Sequence, residues 1–348
     1  MHANGKFSSF APTFEIAFDD GVAHRHRRRQ RRFLRWRTGG AMQTLMLLSP
    51  QNIRHSGHGT GLAICNFSPA IPRVPCVTAG LGYLSPTKER PYNYMYEPPA
   101  GRAWHNCEYR VRPARIADAR AMASAPTIHV EGFELWNAPT SMIDLEDEDA
   151  IRSRYYAEAA ELAKCVTGAG HAYIFDHTIR RREMGRPPLG FGRKGDGSRP
   201  GAVGHVHTDY SEASGQKRFE VVDLDHHVGS KVQRFAIVNI WRSIRGQVMD
   251  TPLAVCDART VSARDLVAGD LLYPHRTGER YLVQHSPRHQ WFYFSEMDSH
   301  EALVFKQYDS QVNGVARFTP HSAFDLPEIP PHAPLRESIE VRCLVTYG

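Results

Sequence analysis

Long apolar runs are missing from this 348-residue chain. None approaches the roughly 18–20 residues that a membrane-spanning helix requires, so membrane partners are not expected. The N-terminus lacks the basic-then-apolar arrangement and small-residue cleavage site of a secretion signal. Cysteine is sparse: Cys65, Cys76, Cys107, Cys165, Cys256 and Cys343 are far apart and form no CxxC pair. That spacing excludes a zinc ribbon and a small disulfide scaffold, and points to reduced thiols in a cytoplasmic protein. There is no repeat of fixed period. There is also no HExxH, which weakens the case for a zinc hydrolase.

Positive charge is concentrated at one end. Eight arginines lie between Arg25 and Arg37 in HRHRRRQRRFLRWR, and removing them from the net charge of +6 leaves about −2 for the remainder. Residues 1–78 show no sustained hydrophobic period and are expected to form a poorly ordered, arginine-rich extension. Nothing near the run patterns as a folded nucleic-acid module, so nucleic acid is not the expected partner. Residues 79–348 are expected to form one domain.

One helix is expected in DLEDEDAIRSRYYAEAAELAKCVTGAG. Acidic residues crowd its first turn, Ile151, Tyr155, Ala159, Leu162 and Val166 repeat at three to four residues, and Gly168 follows its end. Ile128–Trp136 alternates as a strand does. From Ala172 onward the chain reads as short strands rich in Val, Ile, Phe and Tyr: 172–179, 219–224, 235–241, 253–258, 281–286, 290–297, 301–308, 315–321 and 338–347. The expected fold class is mainly β (α+β): a double-stranded β-helix, the cupin-like jelly roll, spanning about 172–348 with flanking helices.

The chemistry-bearing pattern is HxD in GHVHTDYS. On a strand, His207 and Asp209 point to one face and can reach one metal. Two histidines and a carboxylate form the facial triad of non-haem Fe(II) oxygenases. With 19 histidines in the chain, an isolated HxD occurs by chance, and it is the order of the other residues that gives it weight. His321, in FTPHSAF, follows on a much later strand, and Arg336 and Ser338 come next in RESIEVR. Arg336 suits bidentate capture of the distal carboxylate of 2-oxoglutarate, and Ser338 can add a hydrogen bond. His289 competes for the distal ligand position, but His321 stands immediately before the arginine strand. His205 shares a strand face with His207 and is expected to be its hydrogen-bonded neighbour.

From about residue 78 onward the chain resembles the AsaB-type hydroxylase/desaturase family, which includes gibberellin desaturase-like proteins and a cephamycin methoxylation component. KERPYNYMYEPPAG, FDHTIR, VHTDYS, IVNIWRSI with PLAVCDA, HQWFYFSEM, EALVFKQYDS, PHSAFDLP and RESIEVR carry the resemblance. It implies an Fe(II)- and 2-oxoglutarate-dependent dioxygenase that consumes O2, releases succinate and CO2, and hydroxylates or desaturates a small natural-product molecule. It also implies His207, Asp209 and His321 as ligands and Arg336 as cosubstrate anchor. The expected pocket residues are His177, Arg180, Tyr210, Asn239, Trp241 and Arg242. Other readings stay open at this point: a cupin-like binding protein without catalysis, and a homodimer as the assembled form.

Overall fold

The computed structural model describes the strands β1 (Arg35–Thr38) and β2 (Ala41–Thr44), and residues 74–348 except 143–144, 192–198, 227 and 230–231. The chain divides into two compact units, Met1–Pro69 and Ala70–Gly348. In the first, β1 and β2 pair antiparallel with Arg35 opposite Thr44. The rest of the arginine run lies outside the described residues.

The second unit opens with β3 (Cys76–Leu84), β4 (Tyr92–Tyr94), β5 (Tyr109–Asp118) and β6 (Phe133–Asn137). A helical segment follows: α1 (Glu148–Ala150), a π-helical turn at Ile151–Tyr155, and α2 (Tyr156–Thr167). Then come β7 (His171–Arg181), β8 (His207–Thr208), α3 (Glu212–His226), β9 (Arg234–Ser243) and β10 (Leu253–Cys256). The chain finishes with β11 (Leu266–Leu272), β12 (Thr277–Val283), β13 (Trp291–Tyr293), β14 (Glu301–Asp309), β15 (His321–Ala323) and β16 (Glu337–Tyr347).

These strands make two sheets, in the orders β3-β5-β13-β10-β15-β8-β12-β11-β4 and β6-β14-β9-β16-β7. The fold is a jelly roll, mostly β, with curled sheets facing one another. Between them, Val255 and Leu253 of the larger sheet pack with Phe133, Trp241, Leu303 and Phe305 of the smaller one.

The helix forms where the period places it. The Asp147 carboxylate accepts from the backbone N–H groups of Asp149 and Ala150, and Gly168 ends α2 in the left-handed region at φ 68°. Ile151, Tyr155, Ala159, Ala163 and Val166 form a buried stripe against Ile179, Val238, Ile240, Val341 and Val345, on the outer face of the smaller sheet. Burial of each large member of that stripe stabilises the fold by about 1.5–3 kcal/mol. Covering that face leaves the opposite one, toward the second sheet, for the site.

One expected strand is a helix. FEVVDL, residues 219–224, lies inside α3, where Phe219 and Val222 are three residues apart and pack with Phe235 and Tyr308. Val221 and Leu224 point outward, with Leu224 77% exposed, so the apolar run is not a two-sided strand. The expected strand at 315–321 reduces to β15, since Pro320 delays pairing until His321. Strands β5 and β11 had not been expected from the pattern, because YRVRPARIAD and LVAGDLL do not alternate cleanly. Among the described residues no helix is long and apolar enough to cross a membrane.

Candidate metal centre and its cavity

The centre is built on adjacent strands. β8 pairs with β15 through His207 opposite His321, and β10 places Val255 on the other side of His321. Gly82 allows this: its N–H donates to the Gly204 carbonyl at 3.2 Å, and an added Cβ there would meet that oxygen at 2.8 Å. The close approach seats β3 against the segment leading into His207.

His207, Asp209 and His321 bring one ligand atom each to within 4.8 Å of one another. Asp209 Oδ1 lies 3.5 Å from His207 Nε2 and 4.0 Å from His321 Nε2. The remaining polar atoms of the three are occupied. His207 Nδ1 is 2.7 Å from the His205 carbonyl, and His321 Nδ1 is 3.3 Å from that of Thr319. A proton on each Nδ1 donates to these carbonyls and leaves the Nε2 lone pairs facing the centre. Asp209 Oδ2 accepts from Asn239 Nδ2 at 2.8 Å and from Arg342 Nε at 2.9 Å. The Asp209 N–H donates to Gln307 Oε1 at 2.7 Å.

Electrostatics keep the donors in their metal-binding forms. Burial, reinforced by repulsion from His321, pushes His207 down to about 4, so its imidazole is neutral near pH 7. Burial opposes the Asp209 charge, but the adjoining Arg342 guanidinium outweighs it and holds the carboxyl well below its usual range. Two imidazoles and one carboxylate, fixed from behind and free in front, fit a divalent transition metal.

The other expected residues divide by strand parity. Arg336, immediately before β16, and Ser338, Glu340 and Arg342 on it follow one another at period two, as far as the Arg342–Asp209 pair. Arg336 is 3% exposed; its Nη1 donates to the Thr251 carbonyl at 3.1 Å, its guanidinium lies 5.4 Å from the Trp241 ring, and its Nε has no partner. Burial, with Arg180 nearby, pushes Arg336 down to about 10. Ser338 is buried and pairs in register with Arg180. Arg180 and Tyr210 line a cavity of about 660 Å³ together with His207, Asp209 and Arg342.

Four expected pocket residues are not in the cavity lining. His177 is turned to the helical segment, with Nδ1 2.8 Å from the Tyr156 hydroxyl and Nε2 3.1 Å from Glu148. It is an odd number of residues from Arg180, so alternation sends the two to opposite faces. Arg242 likewise faces out, bonded to Tyr155 and to the carbonyls of Ser299 and Ala138. Asn239 faces in, but its amide is engaged by Asp209. Trp241 is buried between the sheets, under Arg336. His289 contacts Tyr83 and Asp265 and is not grouped with the three ligands. His205 offers its carbonyl to His207, while its own ring stacks on Tyr109 at 3.7 Å.

Arg342, Gln307 and Arg280 are site residues outside the expected set. Arg342 had a signal, since it continues the alternation of Arg336 and Ser338. Gln307 had none, because a bulge in β14 between Lys306 and Tyr308 sets its direction.

Fold and site together give a jelly roll with a candidate site for one metal ion, an arrangement that metal-dependent oxygenases also have. A family model described as an oxidoreductase/YMDC permease-like domain matches residues 81–346. The Fe(II)/2-oxoglutarate-dependent dioxygenase nvfI of Aspergillus novofumigatus is 31% identical over 269 residues, 75% of this chain and 92% of the relative. The hydroxylase/desaturase CTB9 of Cercospora beticola is 32% identical over 261 residues, 69% of this chain and 78% of the relative. A solved structure of the iron and alpha-ketoglutarate-dependent endoperoxidase NvfI, in a different conformation, matches 79% of this chain and 99% of that one with a TM-score of 0.66 and 28% identity. The chain belongs to this family of hydroxylase/desaturase-type dioxygenases.

Proposed function

We propose that this protein is an Fe(II)- and 2-oxoglutarate-dependent dioxygenase that hydroxylates or desaturates a small organic molecule of natural-product type. In this reading His207, Asp209 and His321 hold the iron, and Arg336 with Ser338 grips the distal carboxylate of 2-oxoglutarate. The observation that carries it is the approach of three ligand atoms to within 4.8 Å, with the opposite atoms of all three residues already engaged. Bound iron, 2-oxoglutarate and O2 supply the oxidising chemistry, with succinate and CO2 as co-products.

The chain's own residues position and shield that chemistry. Carbonyl acceptors at His205 and Thr319 fix the two imidazole tautomers. Arg342 and Asn239 hold Asp209 so that one oxygen faces forward. Arg180 stands on the cavity wall opposite Ser338 in the strand register, with Arg336 beyond it. Tyr210, 7% exposed, closes the cavity beside Asp209. Placement of the substrate's C–H bonds then decides between hydroxylation and desaturation.

The test is direct. Protein loaded with Fe(II) without oxygen, then given 2-oxoglutarate and O2, is expected to form succinate, whereas His207→Ala is expected to form none and to lose iron. Retention of iron and turnover by His207→Ala would remove this ligand set. Failure of wild type to make succinate would favour a binding protein without catalysis.

A further inference from the structure

A second buried guanidinium faces the cavity from the other sheet. Arg280 lies on β12 two residues from Leu282, which pairs with His207, so alternation turns both toward the site. Arg280 is 9% exposed and lines the cavity with His207 and Asp209. Its Nη2 has no hydrogen-bond partner. Phe191 lies under the guanidinium, its ring 5.5 Å away.

A buried arginine ordinarily has a carboxylate. Arg342 shows the usual case, with ion pairs to Asp209, Asp176 and Glu340. Arg280 makes no such pair among the described residues. Its neighbour Glu279 is engaged by Arg90 and Ser211 instead. The lining as a whole is unbalanced: six cationic side chains (Arg180, Lys217, Arg218, Arg276, Arg280 and Arg342) face three carboxylates (Asp176, Asp209 and Glu279). Ferrous iron and the two carboxylates of 2-oxoglutarate cancel one another in formal charge, so the surplus outlasts loading of the cosubstrate.

We propose that Arg280 receives a carboxylate carried by the substrate itself, so that this enzyme oxidises an organic acid. The proposal rests on the dioxygenase reading above and adds the substrate's chemical class. Arg280 and Arg336 lie in different sheets, so one anchor serves the substrate and the other the cosubstrate. The carboxylate completes the orphaned Arg280 donor, and a charge-assisted hydrogen bond in a buried site is the strong kind.

The experiment is a calorimetric titration of the full chain loaded with Fe(II) and 2-oxoglutarate, without oxygen, using 4-phenylbutanoate and its neutral amide as probes. Wild type is expected to bind the carboxylate at least about tenfold more tightly than the amide. Arg280→Met should bring that ratio close to one, and Arg280→Lys should keep part of it. Arg112→Met, which removes an exposed charge on β5, should retain it. Removing an unpaired buried charge does not threaten folding, and the melting temperature of each variant checks this. Equal probe ratios in wild type and Arg280→Met would overturn the proposal, as would a ratio near one in wild type. A loss of 2-oxoglutarate affinity in Arg280→Met as large as the loss for the probe would also overturn it, by placing Arg280 at the cosubstrate. Succinate formation by wild type is scored separately: its absence ends the dioxygenase reading, while the carboxylate preference at Arg280 stands or falls on the titration.

Discussion

Arg336 and Arg342 occupy one strand face and do different work. Arg342 is saturated by carboxylates, including the Asp209 oxygen that faces away from the centre. Arg336 has one carbonyl acceptor for its guanidinium and an Nε without a partner. A buried cation in that condition has capacity for a bidentate carboxylate. Arg336→Ala should therefore raise the 2-oxoglutarate concentration for half-maximal succinate formation by at least about tenfold, the worth of one charge-assisted interaction. Arg336→Lys should recover part of it. An unchanged concentration requirement would remove Arg336 from the cosubstrate. At this scale the convergence of His207, Asp209 and His321 was legible from HxD and the later histidine, whereas Arg342 was not expected although it continues the period of RESIEVR. His177 and Arg242 were misread because each was grouped with inward residues at odd separations, Arg180 in one case and Asn239 and Trp241 in the other.

At the scale of elements, α3 is where local pattern and structure part. FEVVDL is rich in strand-forming residues, but the helix it joins is pinned at its start, where Ser211 and Ser214 exchange hydrogen bonds with backbone N–H groups. Its Gly215 rests on the ring of Tyr308, and a Cβ there would lie 2.6 Å from two ring atoms. Tyr308 is 2% exposed and its hydroxyl donates to Glu212 at 2.9 Å, so the ring cannot swing clear. Two effects compete in Gly215→Ala. Helix propensity favours alanine by about 1 kcal/mol, whereas overpacking costs about 1–3 kcal/mol. The clash is with a rigid ring, so overpacking wins and a lower melting temperature is expected. A rise would mean that α3 can lift away from β14. The strands flanking the site were largely readable, since the runs of β7, β9, β14 and β16 are long and β-branched. The bulge in β14 was not, because the exchange of facing at Gln307 depends on pairing with β9.

For the whole molecule, the pairing of β8 with β15 matters most, because it joins residues over a hundred positions apart in one register. That neighbour relation has no local signature; only the order HxD, His, RxS suggested it. The completed centre holds a carboxylate already compensated by Arg342 and Asn239, and the His207 imidazole is kept neutral by burial. The Asp209 charge is therefore compensated before metal arrives, and the sheets bury extensive apolar surface without it. Metal-free protein is expected to stay folded, unlike a zinc finger, whose metal supplies its folding energy. Binding still shifts the balance toward the native state, because a ligand at a hundred times its dissociation constant adds about 2.7 kcal/mol. At roughly 2 °C per kcal/mol for a domain of this size, Fe(II) with 2-oxoglutarate in the absence of oxygen should raise the melting temperature by about 5 °C. Chelator should reverse the rise without unfolding the protein. His207→Ala should show no rise, since two remaining ligands do not close a facial set. Unfolding on chelation would refute the pre-formed site, and an equal rise in His207→Ala would place the stabilising metal elsewhere.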